Sequence, residues 1–174
     1  MTVYAFSTEN WKRPQREVDA IMELLEQYID SCERELAGHD VRFCFIGDRE
    51  PLRPVLQEKM TELEQKTLNG RMVLNIAVNY GARAEICRAA KLLSESGKEI
   101  TEQTLGELMY TAHCSDPDMI VRTGGDLRIS NFLLWQSAYA ELYFTDKLWP
   151  DLKPADVDAA IENFYSRKRR YGGL

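Results

Sequence analysis

The sequence is poor in several things that commonly announce a function. No stretch of its 174 residues approaches the ~18 consecutive apolar residues of a membrane-spanning helix, so no such span is expected. There are four cysteines, Cys32, Cys44, Cys87 and Cys114, far apart and without a C-x-x-C pair. Zinc binding and dithiol redox chemistry are therefore not expected, and reduced thiols are. The two histidines, His39 and His113, stand alone, with no metal or triad spacing. A basic surplus is absent as well: 22 Lys and Arg face 28 Asp and Glu, a formal net charge of −6. Without a broad positive field, nucleic acid is not an expected partner, and an anion site must be a local arginine cluster. The segment after Met1 has no charged-then-apolar leader pattern, so no signal peptide is expected. Internal repeats, low-complexity tracts and linkers are not evident.

What is present is globular in composition, 44% hydrophobic and 29% charged. The length suits one domain of ~100–200 residues. Residues 2–6, 41–46, 72–78, 119–121 and 140–144 are β-branched, aromatic or continuously apolar, and read as strands. Between them lie helical patterns. Val18, Ile21, Met22, Leu25, Ile29, Cys32 and Leu36 recur at helical spacing after Pro14, and Gly38 supplies a stop. Val55, Leu56, Met60 and Leu63 mark a second helix, and a third runs from Gly81 to about Ser94. Thr101 caps a short one, Ser130 caps a helix over 131–136, and a last helix covers 154–170. Strands and helices alternate five times, which predicts an α/β class with a mostly parallel central sheet flanked by helices, in a single domain. In such sheets ligands bind beyond the carboxyl ends of the strands, so the polar turns 7–13, 79–83 and 122–128 are expected to gather there.

The segment 122–131, Arg-Thr-Gly-Gly-Asp-Leu-Arg-Ile-Ser-Asn, carries the most chemistry. Guanidinium groups bind phosphate oxygens in pairs, and a helix start at Ser130 would add backbone donors. A diphosphate clamp and a plain glycine turn with two surface arginines are about equally compatible with it. Residues 7–13 combine a hydroxyl, a carboxylate, an amide, an indole and a guanidinium, which suits a substrate loop or a solvated loop whose Trp11 tucks inward. Glu85 reads as a further candidate acid or, more readily, as the partner of a neighbouring Arg. Glu141, beside apolar residues at a strand start, reads as a metal ligand, an ion-pair partner or an exposed strand end.

Three blocks carry a family likeness: Tyr-Ala-Phe-Ser-Thr-Glu-Asn-Trp-Lys-Arg-Pro from Tyr4, Asn-Tyr-Gly-Ala-Arg-Ala-Glu-Ile from Asn79, and Asp-Met-Ile-Val-Arg-Thr-Gly-Gly-Asp-Leu-Arg-Ile-Ser-Asn-Phe-Leu-Leu-Trp-Gln from Asp118. The last runs on through Tyr139-Ala-Glu-Leu-Tyr-Phe to Trp149-Pro-Asp. In these blocks the sequence resembles the cis-prenyltransferases, most closely the bacterial undecaprenyl diphosphate synthases, over residues 1–174. The resemblance implies an enzyme that condenses isopentenyl diphosphate onto an allylic diphosphate such as farnesyl diphosphate, with Mg2+, to form a Z-polyprenyl diphosphate for a cell-wall lipid carrier. It implies a cytoplasmic homodimer that touches membrane through its lipid product. Carried over by position, Arg122, Arg128, Ile129 and Ser130 bind isopentenyl diphosphate. Ser7, Thr8, Glu9, Trp11 and Arg13 line the substrate loop, Asn10 assists proton removal, and Glu141 helps hold magnesium. Arg170-Tyr171-Gly172 resembles a tail that reaches a partner subunit, and the helix around residues 21–29 resembles a wall of the chain tunnel. The aspartate-rich D-D-x-x-D motif of the trans enzymes does not occur.

Two departures shape the expectation. The family's amino-terminal block, with its phosphate loop and magnesium-binding aspartate, has no counterpart here, so a fragment or mispredicted start of impaired activity is expected. Asp126 also stands where the family has Glu, and Leu127 where some members have His. A non-catalytic partner subunit is the alternative, and a generic phosphate-binding α/β domain is a third reading resting on fold analogy.

Overall fold

The computed structural model describes residues 1–35 and 39–168. The expected helix stop at Gly38 and the tail at Arg170-Tyr171-Gly172 lie outside the described residues. The chain forms two compact units, Met1–Cys114 and Ser115–Leu174.

In the first unit β1 (Thr2–Ser7), β2 (Val41–Ile46) and β3 (Met72–Tyr80) make a parallel sheet in the order β1-β3-β2. The central strand β3 is buried from Leu74 to Tyr80, which is why it reads as an apolar run and not as an alternating one. Its register places Asn75 opposite both Thr2 and Cys44. α1 (Gln15–Glu35) and α2 (Pro54–Lys66) cover one face of this sheet. Val18, Met22, Leu25, Ile29 and Cys32 follow the helical period along α1 and pack with Leu56, Met60 and Leu63 of α2 on Phe6, Phe43, Phe45, Leu74, Ile76 and Val78. Met60 is completely buried, so its truncation to Ala should cost about 2–5 kcal/mol. α3 (Ala82–Ser96) turns Ala82, Glu85, Ala89 and Leu93 inward, and the short α4 (Glu102–Gly106) starts at Thr101, whose hydroxyl accepts from the Thr104 amide. Residues after α4 return to β3, where the Asn75 side chain meets the His113 ring at 2.9 Å and donates to the Thr2 hydroxyl at 3.1 Å.

The outer edge of this sheet is covered by side chains. Phe43 and Phe45 of β2 donate their amides to Thr67 Oγ1 at 3.0 Å and Glu64 Oε1 at 2.7 Å. Arg49 pairs with the same Glu64 oxygen at 2.6 Å and donates to the Phe45 carbonyl at 3.0 Å.

The second unit holds a parallel pair, β4 (Met119–Arg122) beside β5 (Glu141–Phe144), followed by α5 (Pro154–Ser166). Two expectations are corrected here. Residues 131–136 form turns, because Ser130, Asn131 and Leu133 sit at φ of 48°, 62° and 45°, in the left-handed region that a right-handed helix cannot use. The final helix ends at Ser166, where the expected helix ran to 170. The α/β class, with parallel strands flanked by helices, is as expected, the five strands among the described residues being shared between sheets of three and two.

Candidate functional site

Each unit presents a polar cluster where the sequence placed one. In the first, β1 runs into a single 3-10 turn at Thr8–Lys12. Asn10 Oδ1 accepts the Ser7 amide at 2.8 Å, and Thr8 Oγ1 donates to Glu9 at 3.1 Å. Trp11 and Phe6 make a T-shaped ring pair, centroids 5.1 Å apart, while the Trp11 indole N–H donates to Asn79 Oδ1 at 2.7 Å. It is 37% exposed, so it is neither a solvated platform nor a core residue. Arg13 faces outward and pairs with Glu17 at 3.5 Å, one helical turn on. Beneath the loop, Tyr4 donates to the Tyr80 carbonyl at 2.9 Å. Burial, reinforced by the Glu9 carboxylate, pushes the Tyr4 phenol up to about 12, so it remains a neutral donor. Glu85 is buried and accepts from the Tyr80 hydroxyl at 2.5 Å and the Tyr110 amide at 2.7 Å, which gives this acid a supporting position below the rim.

In the second unit, β4 delivers Arg122 to a tight double turn. Gly124 and Gly125 take φ of 85° and 78° and fold back to donate their amides to the Lys147 and Thr145 carbonyls. The turn brings Arg128 and Ser130 to Arg122. One guanidinium nitrogen of Arg122 donates to Ser130 Oγ at 2.7 Å and another to Asp126 Oδ2 at 2.7 Å. Arg128 donates to the same Asp126 oxygen at 2.6 Å. Two cations thus share one carboxylate, with Arg122 three-quarters buried and Arg128 open to solvent. Such a cluster can exchange its internal carboxylate for phosphate oxygens of a ligand. Backbone donors from a helix start do not contribute, since no helix begins at Ser130. Ile129 follows in the same turn, half-buried.

Glu141 opens β5 and accepts from Arg167 at 2.6 Å, the ion pair being the one of its three readings with a partner in the structure. Arg167 also donates to the Leu142 carbonyl at 3.0 Å and so fastens the end of α5 to β5. Among the described residues no group of three His, Cys, Asp or Glu side chains could hold a metal ion. Magnesium is commonly held by one or two carboxylates together with substrate phosphates and water. Glu141 fits the part of one such carboxylate, on condition that it shares its charge with Arg167.

Sequence reasoning undervalued three residues. Asn79, given no role of its own within the 79–83 turn, is 5% exposed and holds Trp11. Asp126, noted only as a departure, joins both arginines. Arg167, just past the last helix, is the partner of Glu141. The signal available for Asn79 was a polar residue ending an apolar strand; the other two had none.

Two arginines and a hydroxyl meeting around one carboxylate beyond a parallel strand, in an α/β chain, are chemically suited to an anion such as phosphate. Comparison with known proteins narrows this. The family described as "Putative undecaprenyl diphosphate synthase" matches residues 1–172. An isoprenyl transferase of Fusobacterium nucleatum is 47% identical over 176 residues, which span the whole of this chain and 76% of the relative. One from Thermotoga maritima is 47% identical over 180 residues, covering 77% of its length. The crystal structure of a "probable undecaprenyl diphosphate synthase" from Campylobacter jejuni matches 99% of this chain and 82% of its own, with 40% identity and a TM-score of 0.93. Lavandulyl diphosphate synthase from Lavandula x intermedia, solved with dimethylallyl diphosphate, matches 99% of this chain and 78% of its own at 33% identity, also with a TM-score of 0.93. The chain belongs to the prenyltransferase family of undecaprenyl diphosphate synthases.

Proposed function

We propose that the chain condenses isopentenyl diphosphate onto an allylic diphosphate, such as farnesyl diphosphate, to give a Z-polyprenyl diphosphate of the undecaprenyl type. The observation that carries this reading is the Arg122–Asp126–Arg128–Ser130 cluster, whose donors match the oxygens of a diphosphate. Arg122, Arg128 and Ser130 are assigned to the isopentenyl diphosphate, with Ile129 lining its hydrocarbon. Ser7, Thr8, Glu9, Trp11 and Arg13 are assigned to the substrate loop. The reacting double bond attacks C1 of the allylic partner as its diphosphate leaves, and a proton then departs to form the new double bond. The fixed cations of Arg122 and Arg128 hold the isopentenyl diphosphate so that its double bond is presented to that carbon. Asn10 stays with the proton-removal step as a positioning donor, because its carbonyl oxygen already accepts from Ser7. Magnesium belongs to the proposal, with Glu141 as its protein ligand; when bound it neutralises diphosphate charge. A cytoplasmic homodimer serving the cell-wall lipid carrier completes the reading. No helix among the described residues is long and apolar enough to cross a membrane.

Titration calorimetry with isopentenyl diphosphate tests the assignment. Arg122→Ala should weaken binding ~10–150-fold, the effect of losing one charge-assisted contact of about 1.5–3 kcal/mol. Equal affinity in wild type and variant, or no binding by the wild type, refutes it. Radiolabelled incorporation with farnesyl diphosphate then separates an enzyme from a partner subunit, which would bind without turnover.

A further inference from the structure

Asn79 ends the buried strand β3 in the left-handed conformation, at φ 47°. Asparagine is among the few side-chain-bearing residues that tolerate this region. Its amide works at both ends: Oδ1 accepts the Trp11 indole N–H at 2.7 Å and Nδ2 donates to the Asp48 carbonyl at 2.8 Å. Its own carbonyl accepts the Asp48 amide at 3.2 Å. One residue therefore ties together the end of β3, the turn after β2 and the loop after β1. The loop is also held by the Trp11–Phe6 ring contact, by the Arg13–Glu17 pair and by bonds within itself, Asn10 to Ser7 and Thr8 to Glu9. The nearest substitutes for Asn79 each fail one of these demands. Aspartate accepts from the indole but sets a carboxylate against the Asp48 carbonyl, serine is too short to reach both, and glycine takes the backbone but loses both side-chain bonds.

We infer that Asn79 is a positioning residue: by clamping Trp11 it fixes the conformation of the substrate loop over residues 7–13 and through it the rate of prenyl transfer. The inference rests on the role given to that loop under Proposed function. It concerns Asn79 as a clamp acting through Trp11, not as a group touching substrate.

The test uses the whole chain with Trp135 and Trp149 changed to Phe, so that Trp11 is the only indole. Asn79→Ala should red-shift Trp11 emission, raise its acrylamide quenching about twofold, and speed amide exchange over residues 8–13 by ~5–10-fold, as expected for one lost net hydrogen bond. Asn79→Asp should fall between wild type and Ala. Trp11→Phe, which keeps a ring for Phe6 and drops the N–H, should give the same exchange pattern, and serves if Asn79→Ala does not fold. In the transfer assay Asn79→Ala should lower kcat more than it raises KM, with Asp partly restoring kcat. Unchanged Trp11 quenching in Asn79→Ala, together with unchanged loop exchange in Asn79→Ala and in Trp11→Phe, overturns the clamp. A loosened loop with unaltered kcat overturns its bearing on transfer. A wild-type chain that neither binds isopentenyl diphosphate nor transfers prenyl groups refutes the parent reading, and the quenching and exchange results then decide the clamp alone.

Discussion

The covered edge of β2 gives the sharpest stability prediction. Glu64 accepts the Phe45 amide at 2.7 Å and Arg49 at 2.6 Å, and Phe45 is 6% exposed, so water cannot readily replace the lost acceptor. Glu64→Gln keeps an oxygen for the amide and loses the ion pair. That pair is a quarter to a third exposed, so its loss should cost about 0.5–1 kcal/mol. Glu64→Ala also strands a buried backbone donor, adding about 1–3 kcal/mol. The two variants should therefore differ by roughly 1–3 kcal/mol, or roughly 0.5–1.5 M in the urea midpoint at an m value near 2 kcal/mol/M. Thr67→Val removes the acceptor of Phe43 and should resemble Glu64→Ala. Urea unfolding followed by circular dichroism reads the midpoints, and amide exchange reads Phe43 and Phe45 directly. The alanine variant should also aggregate more readily, since it uncovers a hydrophobic strand edge. If Gln and Ala unfold together, or Phe45 exchange does not change in Glu64→Ala, the side-chain cover contributes nothing and the reasoning is wrong.

Asp126→Asn should raise affinity for inorganic diphosphate ~3–10-fold at low salt by removing the competing charge, and the gain should vanish near 0.5 M salt; an unaltered salt dependence counts against a shared carboxylate. Burial, then the Arg42 charge, holds the His113 imidazole below its ordinary value. A histidine that resists protonation when folded supports the fold above pH ~6.5 and withdraws that support as pH falls through this range. Stability should drop from pH 7 to 5.5, and His113→Asn should flatten that limb in urea titrations at each pH. Arg122→Ala, described above, completes the set.

The helix face of α1 and the buried strand β3 were legible because burial imposes a period, or its absence, on the sequence itself. Val41–Ile46 was placed to the residue for the same reason. Residues 131–136 misled because Asn-Phe-Leu-Leu-Trp-Gln has the apolar density of a helix, while the positive φ at Ser130, Asn131 and Leu133 is set by the turn around them. The three motif blocks were legible as a likeness. Their internal bonding was not: Asp126 between two arginines depends on the double glycine turn, and Glu141 with Arg167 joins residues 26 apart in the chain. A sequence shows which groups are available, and packing decides which meet.

At Gly47 a Cβ would lie 2.0 Å from the Val78 carbonyl oxygen, with φ at 121°. Here backbone meets backbone, with no side chain to trim or rotate in compensation. Even the smallest replacement must push two strand ends apart, so no graded series of variants exists at this spot. Evolution or engineering can retune this rim from the surrounding side chains, whereas position 47 admits its present occupant or a different local architecture.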